Sequence, residues 1–202
     1  MRPVVDIFAE NDFIYKYQSG FSTNHSTVTA QFEATDSWTN NIDWGKVDGV
    51  VFLDLKKAFD TVNHSLSFGV PQDTILGPLL FLLYINDLPN CLSKCQSRMY
   101  ADDTPLTYAG FSTDSIQSCL NDDLVNVRNW LTANKLTLNM GKTEFMHIIL
   151  GQGQTLSTVP PRPSISGSPI EHVTTAKSQG VHILGEAILI SQARKLVLVL
   201  EP

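Results

Sequence analysis

The chain has 202 residues, of which 43% are hydrophobic and 17% are charged. This balance excludes a disordered chain and favours one globular domain or two small ones. The formal net charge of −6 disfavours a strong nucleic-acid binder, because phosphate contacts need Lys and Arg. Three cysteines and no recognisable signal peptide predict reduced thiols inside the cell, in the cytoplasm or nucleus, rather than a disulfide scaffold.

The first recognisable elements lie in the N-terminal third. Ser22–Thr29 is rich in Ser and Thr and predicts a loop that turns into a helix. Gly49–Leu55 (GVVFLDL) is apolar and β-branched, as is typical of a buried strand, and Asp54 lies near its C-terminal end. Lys56–Val62 then predicts the start of a helix.

The middle of the chain predicts a core helix and a hairpin. Leu79–Leu88 is apolar enough for a buried helix that Pro89 would stop. The longest apolar run, Ile75–Ile85, is too short to span a bilayer, so no membrane partner is expected. Arg98–Tyr108 consists of two strand-like halves around Asp102 and Asp103, which suit a hairpin tip.

The clearest helix covers residues 114–134, with Thr113 or Asp114 as its N-cap. Its apolar residues recur at helical spacing and define one buried face: Ile116, Leu120, Leu124, Val127 and Leu131. Phe145–Leu150 predicts a further strand, and Gly151–Gly167 a loop or linker. The apolar tail, residues 181–200, has no clear periodicity. We expect a main domain over residues 1–150 and a linker with a degenerate tail over residues 151–202.

Three carboxylates lie at predicted strand ends. If the hairpin with Asp102 and Asp103 pairs beside the first strand, these side chains meet Asp54 at one end of a sheet. Hard oxygen ligands of this kind suit Mg²⁺, and two such ions can promote an in-line displacement at phosphorus. The alternative for an isolated Asp-Asp pair is a solvated turn.

The surrounding motifs resemble those of reverse transcriptases from non-LTR, LINE-like retrotransposons. YADD (Tyr100–Asp103) resembles their aromatic-x-Asp-Asp signature, and FLDLKKAFD (Phe52–Asp60) their first catalytic motif. Phe68–Pro89, with the sequence FGVPQDTILGPLLFLLYINDLP, resembles the block that lies between these motifs. The resemblance extends to YQSGF (Tyr17–Phe21) and to GKTE within Arg128–Met146. Together these motifs are specific, and they occur in the family's order.

The resemblance implies roles for six residues. Asp54, Asp102 and Asp103 would bind two Mg²⁺ ions, with Mn²⁺ as a substitute. The other three residues would act on the substrates. Phe59 would lie beside the incoming sugar, Gln72 would lie beside the nascent base pair, and Lys142 would donate a proton to pyrophosphate. Each of the three also has a structural alternative: a core aromatic, a turn residue and a solvated lysine, respectively.

Three departures from the family pattern bear on activity. His64 runs almost directly into the Phe68 block, where the family has a longer segment, which indicates an internal deletion or an error in the gene model. Asp73 replaces the Gly of the family's PQG motif. Two unit charges 4 Å apart repel by about 4 kcal/mol at an effective dielectric constant of about 20, so Asp73 would oppose a triphosphate. Basic finger residues are lacking, and the region of the thumb departs from the family.

The resulting expectation is an α+β fold: a palm-like small antiparallel sheet packed on helices, with incomplete fingers and thumb. The implied function is RNA-directed DNA polymerisation on an RNA template with a DNA primer and deoxynucleotide triphosphates, impaired in this chain. The alternative is a non-enzymatic relic or a domesticated module that binds nucleic acid or protein.

Overall fold

The computed structural model describes residues 14–20, 26–56, 76–150, 162–178, 181–190 and 193–200. Three helices are present in these ranges: α1 (Thr27–Asp43), α2 (Leu76–Ile85) and α3 (Thr113–Ala133), with a 3₁₀ turn at Leu88–Cys91. The strands are β1 (Val47–Leu53), β2 (Leu55–Lys56), β3 (Gln96–Ser97), β4 (Thr104–Gly110), β5 (Thr137–Leu138), β6 (Glu144–Leu150), β7 (Ser164–Ile165), β8 (Ser168–Pro169), β9 (Glu171–His172), β10 (Thr175–Ser178), β11 (Val181–Ile190) and β12 (Ala193–Leu200).

Eight strands form one sheet in the order β10-β11-β6-β1-β4-β3, with β12 beside β11 and β9 beside β6. The central strand β1 is antiparallel to both β4 and β6, whereas β9 and β11 run parallel to β6. Two short pairs, β2-β5 and β7-β8, lie outside this sheet. The mixed α/β content and the largely antiparallel sheet confirm the expected fold at this coarse level.

The central strand is buried on both faces because helices cover both sides of the sheet. Val51 belongs to the core on the α3 side of the sheet. Val50 belongs to a second core, on the other side, which contains Trp38 of α1. Gly49 lets α3 approach the sheet closely, since a Cβ atom at this position would lie 2.3 Å from the Cγ2 of Ile116. The run of β-branched residues in β1 therefore packs between two helices.

Helix α3 has the predicted buried stripe. All five predicted residues are at most 5% exposed: Ile116, Leu120, Leu124, Val127 and Leu131. The predicted N-cap was wrong by one residue, because Ser112 has the extended cap conformation and its hydroxyl accepts a hydrogen bond of 3.2 Å from the Ser115 N–H. Thr113 is the first residue of the helix itself.

Several predicted boundaries differ from those observed. Lys56 ends the short strand β2 instead of starting a helix, and the remainder of Lys56–Val62 lies outside the described residues. Helix α2 ends at Ile85, and the 3₁₀ turn, not the helix, contains Pro89. The predicted linker contains β7, which pairs with β8 just beyond it, and the unassigned tail forms β11 and β12. Strand β11 also pairs with β6, which is distant in sequence.

The expected domain boundary at residue 150 stays a prediction, although β9, β10 and β11, which follow it, belong to the same sheet as β1. In the ranges that the structure describes, no helix combines the length and apolar character needed to cross a membrane.

The α3 stripe generates a stability prediction. Leu124 is 1% exposed, and Leu124→Ala should lower the free energy of unfolding by about 2–5 kcal/mol, because the side chain leaves a cavity in a closed core. The neighbouring Val125 is 53% exposed, so Val125→Ala serves as the control and should change it by less than about 0.5 kcal/mol. Urea denaturation followed by circular dichroism measures both. Equal midpoints for the two variants would show that α3 is not docked.

Candidate active site

The pairing of β1 with β4 brings the predicted carboxylates to one end of the sheet. The register runs from Val47 opposite Gly110 to Leu53 opposite Thr104. Asp54 follows Leu53, and Asp103 precedes Thr104, so these two residues occupy the next position of the same antiparallel register. Alternation of side chains along a strand places both on the α1 side of the sheet, the side of Phe52 and Pro105.

Asp102 lies at the tip of a tight hairpin. The backbones of Tyr100 and Asp103 exchange two hydrogen bonds of 3.0 Å each, which leaves Ala101 and Asp102 as a two-residue loop. Ala101 has a φ of 54°, the positive value that such hairpin loops require. A left-handed conformation costs roughly 1–2 kcal/mol for a residue other than glycine. This turn therefore needs support from its surroundings.

Gln18, in the N-terminal segment of the chain, supplies that support. Its Oε1 accepts hydrogen bonds from the Ala101 N–H at 3.0 Å and from the Gly20 N–H at 2.9 Å. Its Nε2 donates to the Ala101 carbonyl oxygen at 3.4 Å. A Cβ atom on Gly20 would lie 2.4 Å from the Ala101 nitrogen, so only glycine permits this approach. The Gln18 side chain thus binds both the N–H and the carbonyl group of Ala101, the strained residue of the hairpin.

A second turn holds Asp54. The Asp54 carbonyl oxygen accepts a hydrogen bond of 2.7 Å from the Asn139 N–H, and the Asp54 N–H donates to the Thr143 Oγ1 at 3.4 Å. Thr143 is buried and its hydroxyl also donates to the Asn139 carbonyl oxygen. Lys142 precedes Thr143 in this turn and is exposed. The predicted lysine therefore lies in the loop that touches the backbone of Asp54.

A buried carboxylate fixes the segment that leads into the hairpin. Asp123 on α3 is 0% exposed and accepts hydrogen bonds from the backbone N–H groups of Ser93, Lys94 and Cys95 at 2.7–2.9 Å. The Ser93 hydroxyl donates a fourth at 2.7 Å. Burial alone would raise the pKa of Asp123, but these donors outweigh it and lower the pKa to about 2. Asp123 therefore stays ionised and anchors this loop to α3.

The donor set has the right chemistry for Mg²⁺ but is not gathered. Asp54 and Asp103 are half-buried, Asp102 is exposed, and all three offer hard oxygen ligands. Nevertheless, within the described ranges no group of three or more His, Cys, Asp or Glu side chains is close enough to hold a metal ion. The register supports the predicted convergence, while the shared metal site itself stays a prediction.

A small cavity lies near these residues. It is lined by Phe52 and Pro105, one register position before the carboxylates, and by Trp38 of α1, and it has a volume of about 20 Å³. This volume holds about one water molecule, whereas ligand pockets usually have about 300–1,000 Å³. This cavity is therefore too small for a nucleotide, and none of the three carboxylates lines it.

Two predicted site residues, Phe59 and Gln72, lie outside the described residues, as does Asp73. Conversely, sequence reasoning missed Gln18, Thr143 and Asp123. Gln18 and Thr143 belong to the quoted YQSGF and GKTE motifs, so the motifs carried a signal. Asp123 carried a signal as well, because its spacing of three residues from Leu120 and four from Val127 puts it on the buried face of α3.

Comparison with known families settles the affiliation. A family model described as "Reverse transcriptase (RNA-dependent DNA polymerase)" matches residues 65–188, more than half of the chain. The chain belongs to this reverse transcriptase family. The matched range includes Gln72, Asp102, Asp103 and Lys142, whereas Asp54 and Phe59 precede it.

Two curated relatives come from transposons of Drosophila melanogaster. The "Probable RNA-directed DNA polymerase from transposon X-element" is 22% identical over 222 residues, which cover 88% of this chain and 24% of that protein. The corresponding protein "from transposon BS" is 25% identical over 223 residues, covering 87% and 24%. This chain thus spans about a quarter of the length of these relatives. The predicted resemblance to non-LTR elements is confirmed.

The alignment lengths bear on the predicted deletion. The X-element match extends over 222 positions, yet 88% of the 202 residues of this domain is about 178 residues. About 44 aligned positions of that relative therefore have no counterpart in this chain. A shortened domain, as predicted from the short segment after His64, agrees with this difference.

The Gln18 contact generates a prediction about hairpin dynamics. Gln18→Ala removes the acceptor of the Ala101 N–H, so the amide hydrogen of Ala101 should exchange with solvent about ten times faster or more, corresponding to about 1.4 kcal/mol or more of lost protection. Gln117→Ala is the control, because the Gln117 side chain donates a solvent-exposed hydrogen bond to the Arg162 carbonyl oxygen, away from the hairpin. Hydrogen exchange followed by NMR measures the rates. An unchanged Ala101 rate in Gln18→Ala would refute the clamp.

Asp123 generates a prediction about stability and pH. Asp123→Asn should cost about 2–4 kcal/mol near pH 7, because an amide NH₂ group would face backbone N–H donors. Since the folded-state pKa is lowered from 3.8 to about 2, the contribution of the carboxylate is present above pH 4 and is lost as the pH falls towards 2. The free energies of unfolding of the wild type and of Asp123→Asn should therefore approach each other as the pH falls from about 4 to about 2.

The control for this prediction is Asp122→Asn. Asp122 is the preceding residue of α3, its side chain is 56% exposed, and it forms a surface ion pair with Lys94, so its removal should cost less than about 1 kcal/mol. Guanidinium melts at several pH values test both variants. A constant difference between wild type and Asp123→Asn down to pH 2 would contradict the assigned cause.

Proposed function

We propose that this domain is a polymerase palm built for RNA-directed DNA synthesis by two-metal nucleotidyl transfer, and that the chain as given is nearly inactive. The observation that carries the proposal is the β1-β4 register, which puts Asp54 and Asp103 at neighbouring positions of one sheet end, with Asp102 at the adjoining tip. The family affiliation supplies the class of reaction.

The residues at this sheet end would act together on a primer terminus. When bound, two Mg²⁺ or Mn²⁺ ions would activate the 3′-hydroxyl and neutralise the leaving pyrophosphate. Asp54, Asp102 and Asp103 would hold these ions, since their carboxylates are the hard ligands such ions prefer. Gln18, Thr143 and Asp123 would act as positioning residues through the backbone of the hairpin and of Asp54.

Three further roles rest on the resemblance. Lys142 would protonate the leaving pyrophosphate, and its place in the turn that contacts Asp54 supports this role. Phe59 would exclude a sugar 2′-hydroxyl, and Gln72 would contact the nascent base pair. The partners would be an RNA template, a DNA primer and deoxynucleotide triphosphates. The net charge of −6 predicts weak, salt-sensitive binding of these nucleic acids.

Two observations support low activity. About 44 aligned positions of a relative are absent from this chain. Asp73 would repel a triphosphate. Because phosphoryl transfer depends on positioning, and a displacement of about 1 Å can reduce the rate about a hundredfold, these losses outweigh the retained carboxylates.

The same observations favour a second candidate function. A domain that lacks part of the length of its relatives and repels a triphosphate would persist as a non-enzymatic relic or a domesticated module that binds nucleic acid or protein. The two candidates differ in one measurable property. An active polymerase would extend a primer in a reaction that requires Asp102, whereas a relic would not.

Primer extension separates the candidates. The full chain, incubated with an RNA template, a DNA primer, deoxynucleotide triphosphates and Mg²⁺ or Mn²⁺, should extend the primer no more than its Asp102→Asn variant does. Any extension should require both a family-length insert after His64 and Asp73→Gly, because the first restores packing and the second removes the repulsion. Robust extension by the unmodified chain that Asp102→Asn abolishes would overturn the relic and establish an active enzyme.

A further inference from the structure

Two aromatic side chains are exposed to solvent at the end of the sheet that is opposite to the candidate active site. Trp44, the C-cap residue of α1, is 78% exposed, and Phe111, which follows β4, is 75% exposed. In the ranges that the structure describes, these are the two most exposed of the large hydrophobic side chains. Scattered exposed apolar residues are normal, whereas apolar residues that share one surface mark an interaction site.

The β1-β4 pairing brings these residues to one surface. Val47 lies opposite Gly110 in the first pair of the register, so Lys46 and Phe111 occupy the positions just beyond that pair. The Lys46 Nζ lies 5.7 Å from the centre of the Phe111 ring. Trp44 precedes Lys46 by two residues in the turn between α1 and β1. The two aromatic side chains therefore belong to adjoining segments at the same sheet end.

This surface carries both signs of charge. Asp43, the exposed last residue of α1, directly precedes Trp44. We call Asp43, Trp44, Lys46 and Phe111 the end patch. Its one carboxylate and one ammonium group cancel, so it lacks the excess of Lys and Arg with which proteins bind phosphate backbones or anionic membranes. Exposed rings flanked by both signs of charge fit a protein surface of the same composition.

We propose that the end patch binds the end patch of a second copy of this chain, which gives a weak symmetric dimer. A twofold interface uses the same surface on both partners, so each contact occurs twice. The Trp44 and Phe111 rings of the two copies would pack at the centre, and Lys46 of each copy would face Asp43 of the other. These reciprocal pairs would offset locally the repulsion between two copies with a net charge of −6 each.

The size of the end patch predicts weak association. Complete burial of one aromatic side chain removes about 150–250 Å² from water, so four rings that are about three-quarters exposed would remove about 450–750 Å². Stable complexes bury about 1,200 Å² or more, and smaller interfaces belong to transient complexes. The dimer should therefore dissociate on dilution. Its formation does not depend on the proposed polymerase activity, because the end patch lies at the opposite end of β1 from Asp54.

Sedimentation velocity of the full chain over a concentration series tests the dimer, and the average mass should rise from monomer towards dimer. Trp44→Ala and Phe111→Ala should each weaken association about tenfold or more, because buried central aromatic residues dominate binding. Phe32→Ala is the matched control, since Phe32 is 64% exposed on α1 but outside the end patch. Phe32→Ala and Asp102→Asn should associate as the wild type does, and the latter separates this inference from the polymerase proposal.

Charge reversal tests whether the partner is a second copy. Asp43→Lys leaves the end patch with only positive charges, and Lys46→Asp leaves it with only negative ones. Each variant alone should remain monomeric, because like charges would face each other. Mixed in equal amounts, the two variants should form a heterodimer, since both reciprocal pairs are then restored with opposite signs. Association of each variant alone at wild-type strength, or none in the mixture, would contradict the reciprocal pairs.

A measurement on the wild type alone covers the case in which a variant fails to fold. The NMR signal of the Trp44 indole N–H should shift on dilution, whereas that of Trp38, which is 3% exposed, should not. A chain that sediments as a monomer at every concentration would overturn the inference. So would a Trp44 signal that is constant on dilution and moves only when single-stranded RNA is added, which would assign the end patch to nucleic acid instead.

Discussion

The antiparallel pairing of β1 with β4 is the constraint on which the candidate site depends. Seven residue pairs, ending at Leu53 and Thr104, set the positions of Asp54 and Asp103 beyond them. A slip of one residue would send one of these side chains to the opposite face of the sheet. The buried residues of β1, packed between α1 and α3, oppose such a slip because it would expose apolar groups on both sides. Core packing therefore fixes the positions of Asp54 and Asp103 relative to each other.

Contacts from distant parts of the chain then hold the ends of this register. Gln18 fixes the strained Ala101 at the hairpin tip, the turn with Thr143 holds the backbone of Asp54, and Asp123 anchors the loop before β3. These three contacts hold the backbone on both sides of the carboxylates. The reverse transcriptase affiliation and a low expected activity are consistent with each other, because the low activity is expected from the missing length and from Asp73.

Sequence patterns predicted those parts of the structure that are determined by residues close together in the chain. The β-branched run of β1, the Asp pair at the hairpin tip and the helical stripe of α3 all follow from local periodicity and turn chemistry. Long-range pairings were not predictable in this way, as in the contact of Gln18 with Ala101, 83 positions apart, and the parallel pairing of β11 with β6. Helical spacing distinguishes the buried Asp123 from its exposed neighbour Asp122, but nothing local indicates that Asp123 binds the backbone of residues 93–95. Family motifs reached Asp54, Asp102, Asp103 and Lys142, but not the residues that hold their backbones.

The central claim is that Asp54, Asp102 and Asp103 form one metal site at this sheet end. Paramagnetic broadening of backbone NMR signals by trace Mn²⁺ tests it most directly, because the effect depends on distance and requires no turnover. The account predicts selective broadening at residues 54, 102, 103 and 142, which Asp102→Asn weakens. Broadening centred elsewhere, for instance at the neighbouring carboxylates of Glu144 and Glu171, or none at the hairpin, would contradict it.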